Sequence, residues 1–389
     1  MTRKEFIKLC SLLGIGIPFQ PALSSCKSDD SISPGNFDGT VLIIGAGAAG
    51  LTAGHLLNQQ GIDFQILEAS SSYGGRMKRT TDFTDFPIPL GAEWLHIERG
   101  VFDEAVNNIS IQVDIETTPY DQNVDYGLFE GQQVSMEDLG FSIDQKFIGS
   151  SWFDFFEQYI VPSVRSKIAL NEIVQSIDYS SEKILINTSN SKFEADKVIF
   201  TAPVKMLQND SISFMPQLPD NKSDAINKVT VWDGFKAFIE FSQKFYPTAI
   251  GFDIVPETAG QKLYYDAAYG QNSNRHVLGL FTVGSGTLPY RELSDAELIN
   301  YMLDELDELF DGQASSNYVK HISQNWNNEP FINGGYVYDH ENWRRVRTLG
   351  ESVDSKVFFA GTAYTTGNDW GSVHTAVRSA VRSVNEILQ

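Results

Sequence analysis

The sequence predicts an α/β protein, α+β overall: a Rossmann-like dinucleotide-binding domain into which an antiparallel sheet covered by helices is inserted. Three observations predict it. A strand, a glycine-rich turn and a helix follow one another over 41–59, and a second strand, turn and helix lie over 357–380. Between them, the runs KAFIEF, KLYYDAAY and HVLGLFTV read as strands beside segments of helical spacing. The size agrees: 389 residues, 42% hydrophobic and 12% aromatic, bury more core than one small domain, so two are expected. A disordered or fibrous chain is excluded.

Against 29 Lys+Arg stand 50 Asp+Glu, a net charge of −21. A protein that tracks nucleic-acid phosphates needs clustered cations, so that class is excluded. Cationic small molecules remain natural partners. The two cysteines, Cys10 and Cys26, both lie near the start. No disulfide framework and no metal site are expected in the folded part.

Residues 1–25 run from Arg3, Lys4 and Lys8 through an apolar stretch, Leu9 to Phe19, to Leu23-Ser24-Ser25, with Cys26 next. The order is that of a signal peptide, and the apolar run is shorter than the ~20 residues a spanning helix needs. Leu-Ser-Ser-Cys resembles the lipobox of bacterial lipoproteins, which implies a lipidated Cys26, and Thr2 to Lys8 resembles a twin-arginine signal with lysine for the second arginine. Residues 26–37 read as a tether. The expectation is an exported protein held at the bacterial cell envelope by lipid alone.

From Thr40 the chain reads TVLIIGAGAAGLTAGHLLNQQGIDFQILEAS. Val41 to Ile44 is a buried strand, Gly45-Ala46-Gly47-Ala48-Ala49-Gly50 the GxGxxG turn, and Leu51 to Gln59 the helix. The first glycine permits the tight turn, the second lets backbone approach a pyrophosphate, and the third lets helix and strand pack closely. Ile62 to Leu67 is the second strand. It ends at Glu68-Ala69, where a carboxylate 18 residues after Gly50 accepts ribose hydroxyls and repels a 2′-phosphate. The ligand is expected to be FAD or NAD, not NADP. His55, on the helix, is read as structural.

Gly74-Gly75-Arg76 follows, and flexible glycines beside a guanidinium suit a dinucleotide in a long groove. The ordered set GxGxxG, LEAS, GGR resembles the flavin-containing amine oxidase family. Leu90 to His96, with Gly91, Ala92, Glu93 and Trp94, resembles the loop that passes the flavin edge in its polyamine oxidases. FEADKVIFTAP at 193–203 resembles the strand that re-enters the flavin domain, Val174 falls where a backbone meets adenine, and VFFAGTAYTTGNDWGSVHTAVRSA at 357–380 resembles the C-terminal flavin segment. That segment contributes the turn at Gly361 and a helix starting near Gly371, Ser372 and Val373, whose positive end stabilises the negative charge that flavin gains on reduction. Thr362 replaces the family's common acid.

The resemblance implies noncovalent FAD, since no cysteine is near. It also places Lys236, in GFKAFIEFSQKFYP, at the lysine that holds a water on flavin N(5). Tyr336 becomes one wall of an aromatic amine cage, with Trp370 or Tyr338 as the other, since Ser372 stands where a second tyrosine would be. His96 becomes a substrate contact. The FAD domain is expected to comprise 38–94, 164–209 and 351–389, and the substrate domain 95–163 and 210–350. Within the latter, Ser151 to Ile168 reads as helical, and Ser294-Asp295-Ala296-Glu297 as a capping box opening a helix to Phe310.

The implied reaction is oxidation of an amine C–N bond to an imine by hydride transfer to FAD, with dioxygen taking the electrons and giving hydrogen peroxide, or another electron acceptor in its place. Carotenoid desaturases and protoporphyrinogen oxidases share the fold. A flavin-dependent desaturase or dehydrogenase of a non-amine substrate, and an FAD-fold lipoprotein without turnover, therefore stand as alternatives.

Overall fold

The computed structural model describes residues 37–121, 123–130, 133–138, 144–252, 260–338, 343–367 and 369–389. The expected signal segment and all of the tether up to residue 36 lie outside them. Five parallel strands form the first sheet, in the order Val357–Phe359, Lys197–Phe200, Thr40–Ile44, Asp63–Leu67, Ile168–Ala169. All are short, and Val357–Phe359, Lys197–Phe200 and Thr40–Ile44 are almost wholly buried, as a parallel sheet covered on both faces requires. On one face lie the helices Ala48–Gln59, Gly100–Val106, Trp152–Tyr159 and Val373–Leu388; their Leu51, Phe102, Phe155 and Val377 share one core with Val41 and Ile43. The other face carries a four-stranded sheet, Lys192–Ala195, Ile184–Thr188, Val174–Asp178 and Ser213–Met215, with helices Asp220–Lys228 and Trp343–Gly350.

The expected single run at 193–203 is split between these two sheets. Ala195 ends one strand and Lys197 begins the next, and the turn is fixed by Asp196, whose carboxylate accepts from Thr40 N at 2.8 Å and pairs with Lys183 at 2.7 Å.

The inserted sheet has seven strands, in the order Tyr318–Asn325, Gly234–Phe241, His276–Gly284, Gly260–Asp266, Ala249–Phe252, Asp125–Glu130, Gln133–Asp138. All pairings are antiparallel except that of Ala249–Phe252 with Asp125–Glu130. Strand Gly234–Phe241 is buried throughout, and its alternation sorts its side chains. Phe235, Ala237, Ile239 and Phe241 pack under helix Asp295–Leu309, leaving Lys236, Phe238 and Glu240 on the opposite face. The capping box opens that helix as expected, with Ser294 N donating to Glu297 at 3.0 Å.

Two expectations are corrected. The helix over 151–168 breaks at Ile160 (φ −108°, ψ −53°), because Pro162 has no N–H to give Gln158 O and its ring crowds that carbonyl; Val161–Val164 resumes for one turn and Ile168–Ala169 is a strand. The cores also do not divide at 95, 163, 210 and 350. Leu95, Phe102, Phe147 and Trp152 are buried in the core of the parallel sheet, and Ile226, Val229, Val337 and Val346 pack on its other face. Short apolar helices between strands of one sheet fold back onto that sheet, wherever sequence motifs end.

Candidate active site

Ile44, Leu67, Phe200 and Phe359 end adjacent parallel strands, and Gly45, Glu68, Thr201 and Gly361 continue from those ends into the wall of one cavity of ≈ 540 Å³. Ligands of open α/β sheets bind at this edge. Gly45 has φ +103°, a conformation that favours glycine. A Cβ on Gly50 would lie 1.9 Å from Gly45 O, so this residue serves helix–strand packing and does not line the cavity. A Cβ on Gly47 would meet nothing within 4 Å: backbone here faces open space. Ala48 and Ala49 begin the helix whose N-cap, Gly47, offers no side-chain cap. Its N–H groups are open to an anion.

Glu68 accepts from Ala46 N at 2.7 Å and Ser70 N at 2.9 Å, which fixes its carboxylate in the wall beside Ala69. Gly75 and Arg76 line the same cavity. The half-buried Arg76 guanidinium donates to Gly335 O and, at 2.9 Å, to Thr362 Oγ1. Among the described residues no carboxylate pairs with Arg76. Val174, Gly371, Ser372 and Val373 complete this wall. Helix Val373–Leu388 points its N-terminus at the cavity, and its N-cap Ser372 makes no side-chain cap bond. Two uncapped helix ends, an open glycine face, a fixed carboxylate and a guanidinium lacking an anion fit a flavin dinucleotide. His55 is apart from this, bonded to Ser163 and Val106 O within the helical layer.

At the other end, loop 90–96 is stapled to residue 145 by Leu95 N–Gln145 O and Gln145 N–Leu95 O, both 3.0 Å. The staple sets Asp144 and Lys146 against the residues flanking Leu95. Trp94 and His96 line the cavity with Gly91, Ala92 and Glu93. His96 Nδ1 bonds Asp144 Oδ1 at 2.8 Å; burial is the largest single influence and would lower its pKa, but the charge and hydrogen bond of Asp144 together with the charge of Asp369 outweigh it and raise the pKa above the usual imidazole value. The carboxylate makes Nδ1 the protonated nitrogen, and Nε2 has no partner among the described residues. Lys236 also lines the cavity, 3% exposed, but its three donors go to Pro89 O (2.8 Å), Gly91 O (3.2 Å) and Glu93 Oε2 (2.6 Å). A water held by this ammonium would have to replace one of them.

Tyr336 and Trp370 both reach the cavity wall; Tyr338 does not, and stacks on Trp232 at 3.5 Å instead. Phe281 and Trp94 meet edge to face at 5.7 Å in the same wall. Sequence reasoning missed Phe281, Asp144, Lys146 and Tyr265. The outward step of the HVLGLFTV alternation marks Phe281, whereas nothing around 144–146 forms a motif.

These features define a class: a protein that binds a dinucleotide along the strand ends of a Rossmann-like sheet, in a cavity whose other end is lined by aromatic side chains under an antiparallel sheet. Residues 154–388 match the flavin containing amine oxidoreductase family, and residues 43–105 match an NAD(P)-binding Rossmann-like domain. The chain belongs to this family of FAD-dependent oxidoreductases. It is 24% identical to the lysine-specific histone demethylase 1B of Mus musculus over 90% of its own length, and spans about half, 52%, of that relative. It is 23% identical to polyamine oxidase 1 of Zea mays, covering 90% of each chain. Its fold is similar to cyclohexylamine oxidase from Brevibacterium oxydans, with a TM-score of 0.74 at 16% identity, over 90% of this chain and 99% of that one.

Proposed function

We propose that this protein oxidises a carbon–nitrogen bond of a small-molecule amine to an imine, and that it does so as an exported protein lipid-anchored through Cys26. FAD supplies the hydride acceptor, and dioxygen supplies its reoxidation with release of hydrogen peroxide. The observation that carries the reading is the chamber beside Lys236, where aromatic side chains (Tyr336, Trp370, Trp94, Phe281) share a wall with a carboxylate-paired histidine. Aromatic faces attract an ammonium and orient the neutral amine it becomes. His96, holding Asp144 through Nδ1, keeps Nε2 free to accept that proton. Lys236 fixes loop 89–93 and presents positive charge where the reduced cofactor gains negative charge. Gly45, Gly47, Arg76 and the two helix ends would hold the pyrophosphate, Glu68 a ribose, and the Val174 backbone the adenine.

A non-amine substrate would leave His96–Asp144 without a task. A peroxide-coupled assay over polyamines, monoamines and amino acids tests the proposal. Turnover of at least one amine class is expected, and none across the panel by an FAD-loaded protein would refute it.

A further inference from the structure

Lys236 belongs to a larger buried cluster. Glu93, 6% exposed, lies between two ammonium groups, with Oε2 2.6 Å from Lys236 and Oε1 3.4 Å from Lys146. It also accepts from the Tyr265 hydroxyl at 2.5 Å. Lys146, 2% exposed, donates to Asp266 O at 3.3 Å and Ala267 O at 2.8 Å. The loop 89–93 and the strands Gln145–Phe147, Gly234–Phe241 and Gly260–Asp266 thus converge on one carboxylate. The titratable groups facing Lys236 and its partner are Glu93, Lys146 and Tyr265, and burial keeps the last neutral. The nearby acids are engaged elsewhere, Asp266 with Lys244 and Asp144 with His96.

We propose that Glu93 is the positioning residue for Lys236, bridging it to Lys146 so that a fixed ammonium stands at the cleft wall beside the flavin ring. The proposal rests on the reading that the isoalloxazine lies at this end of the cavity. Two buried ammonium groups with only carbonyl dipoles around them repel each other and lose their hydration. Burial already draws Lys236 below the usual lysine range even with Glu93 present, while the two lysines outweigh burial at Glu93 and hold its carboxyl low. Without the carboxylate, Lys236 sheds its proton and its hold on the loop, and the charge nearest the ring is lost.

The test is the midpoint potential of bound FAD against pH in the reconstituted protein, for wild type, Glu93→Gln, Glu93→Asp, Lys236→Met and the double variant Glu93→Gln/Lys236→Met. The expected result is a lower potential in Glu93→Gln, with an added inflection below the usual lysine range that wild type lacks. Glu93→Asp should return toward wild type, and in the Lys236→Met background Glu93→Gln should produce neither the fall in potential nor the added inflection. A Glu93→Gln curve superimposed on wild type, or an equal effect without Lys236, overturns the proposal and leaves the cofactor placement standing. An unchanged potential in Lys236→Met refutes the placement itself. If Glu93→Gln does not fold, Glu93→Gln/Lys146→Met removes one charge of each sign, and the same lowered potential and inflection are expected; a wild-type curve there overturns the proposal.

Discussion

A half-buried guanidinium without a carboxylate partner is costly until an anion meets it, and Arg76 is held in that state by Gly335 O and Thr362. Arg76→Met should therefore weaken FAD binding by the ~1.5 to 3 kcal/mol of a charged hydrogen bond, about tenfold or more, while barely changing the melting temperature of the apoprotein. Equilibrium dialysis and apoprotein calorimetry check the two halves. Lys236→Met should slow reoxidation of the reduced flavin by about a hundred to a thousandfold, the cost of one preorganised electrostatic contact. Stopped-flow traces with dioxygen measure this, and an unchanged rate would make Lys236 a structural lysine. At His96 the sign is fixed by Asp144. Its charge raises the imidazole pKa, so Asp144→Asn lowers that pKa, and the acid limb of kcat/KM should move to lower pH. Glu68, Arg76 and Lys236 were legible in the sequence because motifs of fixed spacing carry them. Asp144 and Lys146 were not, because only the Leu95–Gln145 staple brings them to the site.

At the scale of elements, strand–turn–helix units and alternating strands were readable because their signals are local. The break at Ile160 needed the backbone consequence of Pro162 to be weighed against helical spacing, and the assignment of 95–106 and 212–229 to the parallel sheet's cores depends on packing that no local pattern contains. One helix junction carries a pH prediction. Lys222, 2% exposed on helix Asp220–Lys228, donates to Thr348 O, Leu349 O and Glu351 O at the end of helix Trp343–Gly350, over the face of Phe359 at 3.8 Å. Burial lowers its pKa from 10.5 to about 7, against the opposing pull of Glu351. Between those values the unfolded chain binds a proton that the folded chain does not, so stability rises with pH across that window, by up to ~1.4 kcal/mol per unit. Urea unfolding of Lys222→Met at pH 7 and pH 9 should show that rise reduced. An undiminished rise would mean that the three carbonyls keep the ammonium charged.

For the molecule as a whole, the cavity is bounded by both sheets, with Gly45 and Gly361 on one side and Lys236 and Phe281 on the other. A ligand that bridges them stabilises the fold by mass action. Free FAD at 100 times its dissociation constant should add about 2.7 kcal/mol to unfolding, seen as a concentration-dependent melting temperature. The proposed address is tested by mass spectrometry of protein from native membranes, where a lipidated Cys26 is expected at the N-terminus and an intact Met1 would contradict it. The central claim, a flavin and an amine meeting beside Lys236, has its most direct test in anaerobic mixing of the FAD-loaded protein with di- and polyamines, monoamines and amino acids while flavin absorbance is followed. The account predicts that at least one amine class bleaches the flavin and that air restores the colour with release of peroxide; a flavin that no amine reduces would contradict it.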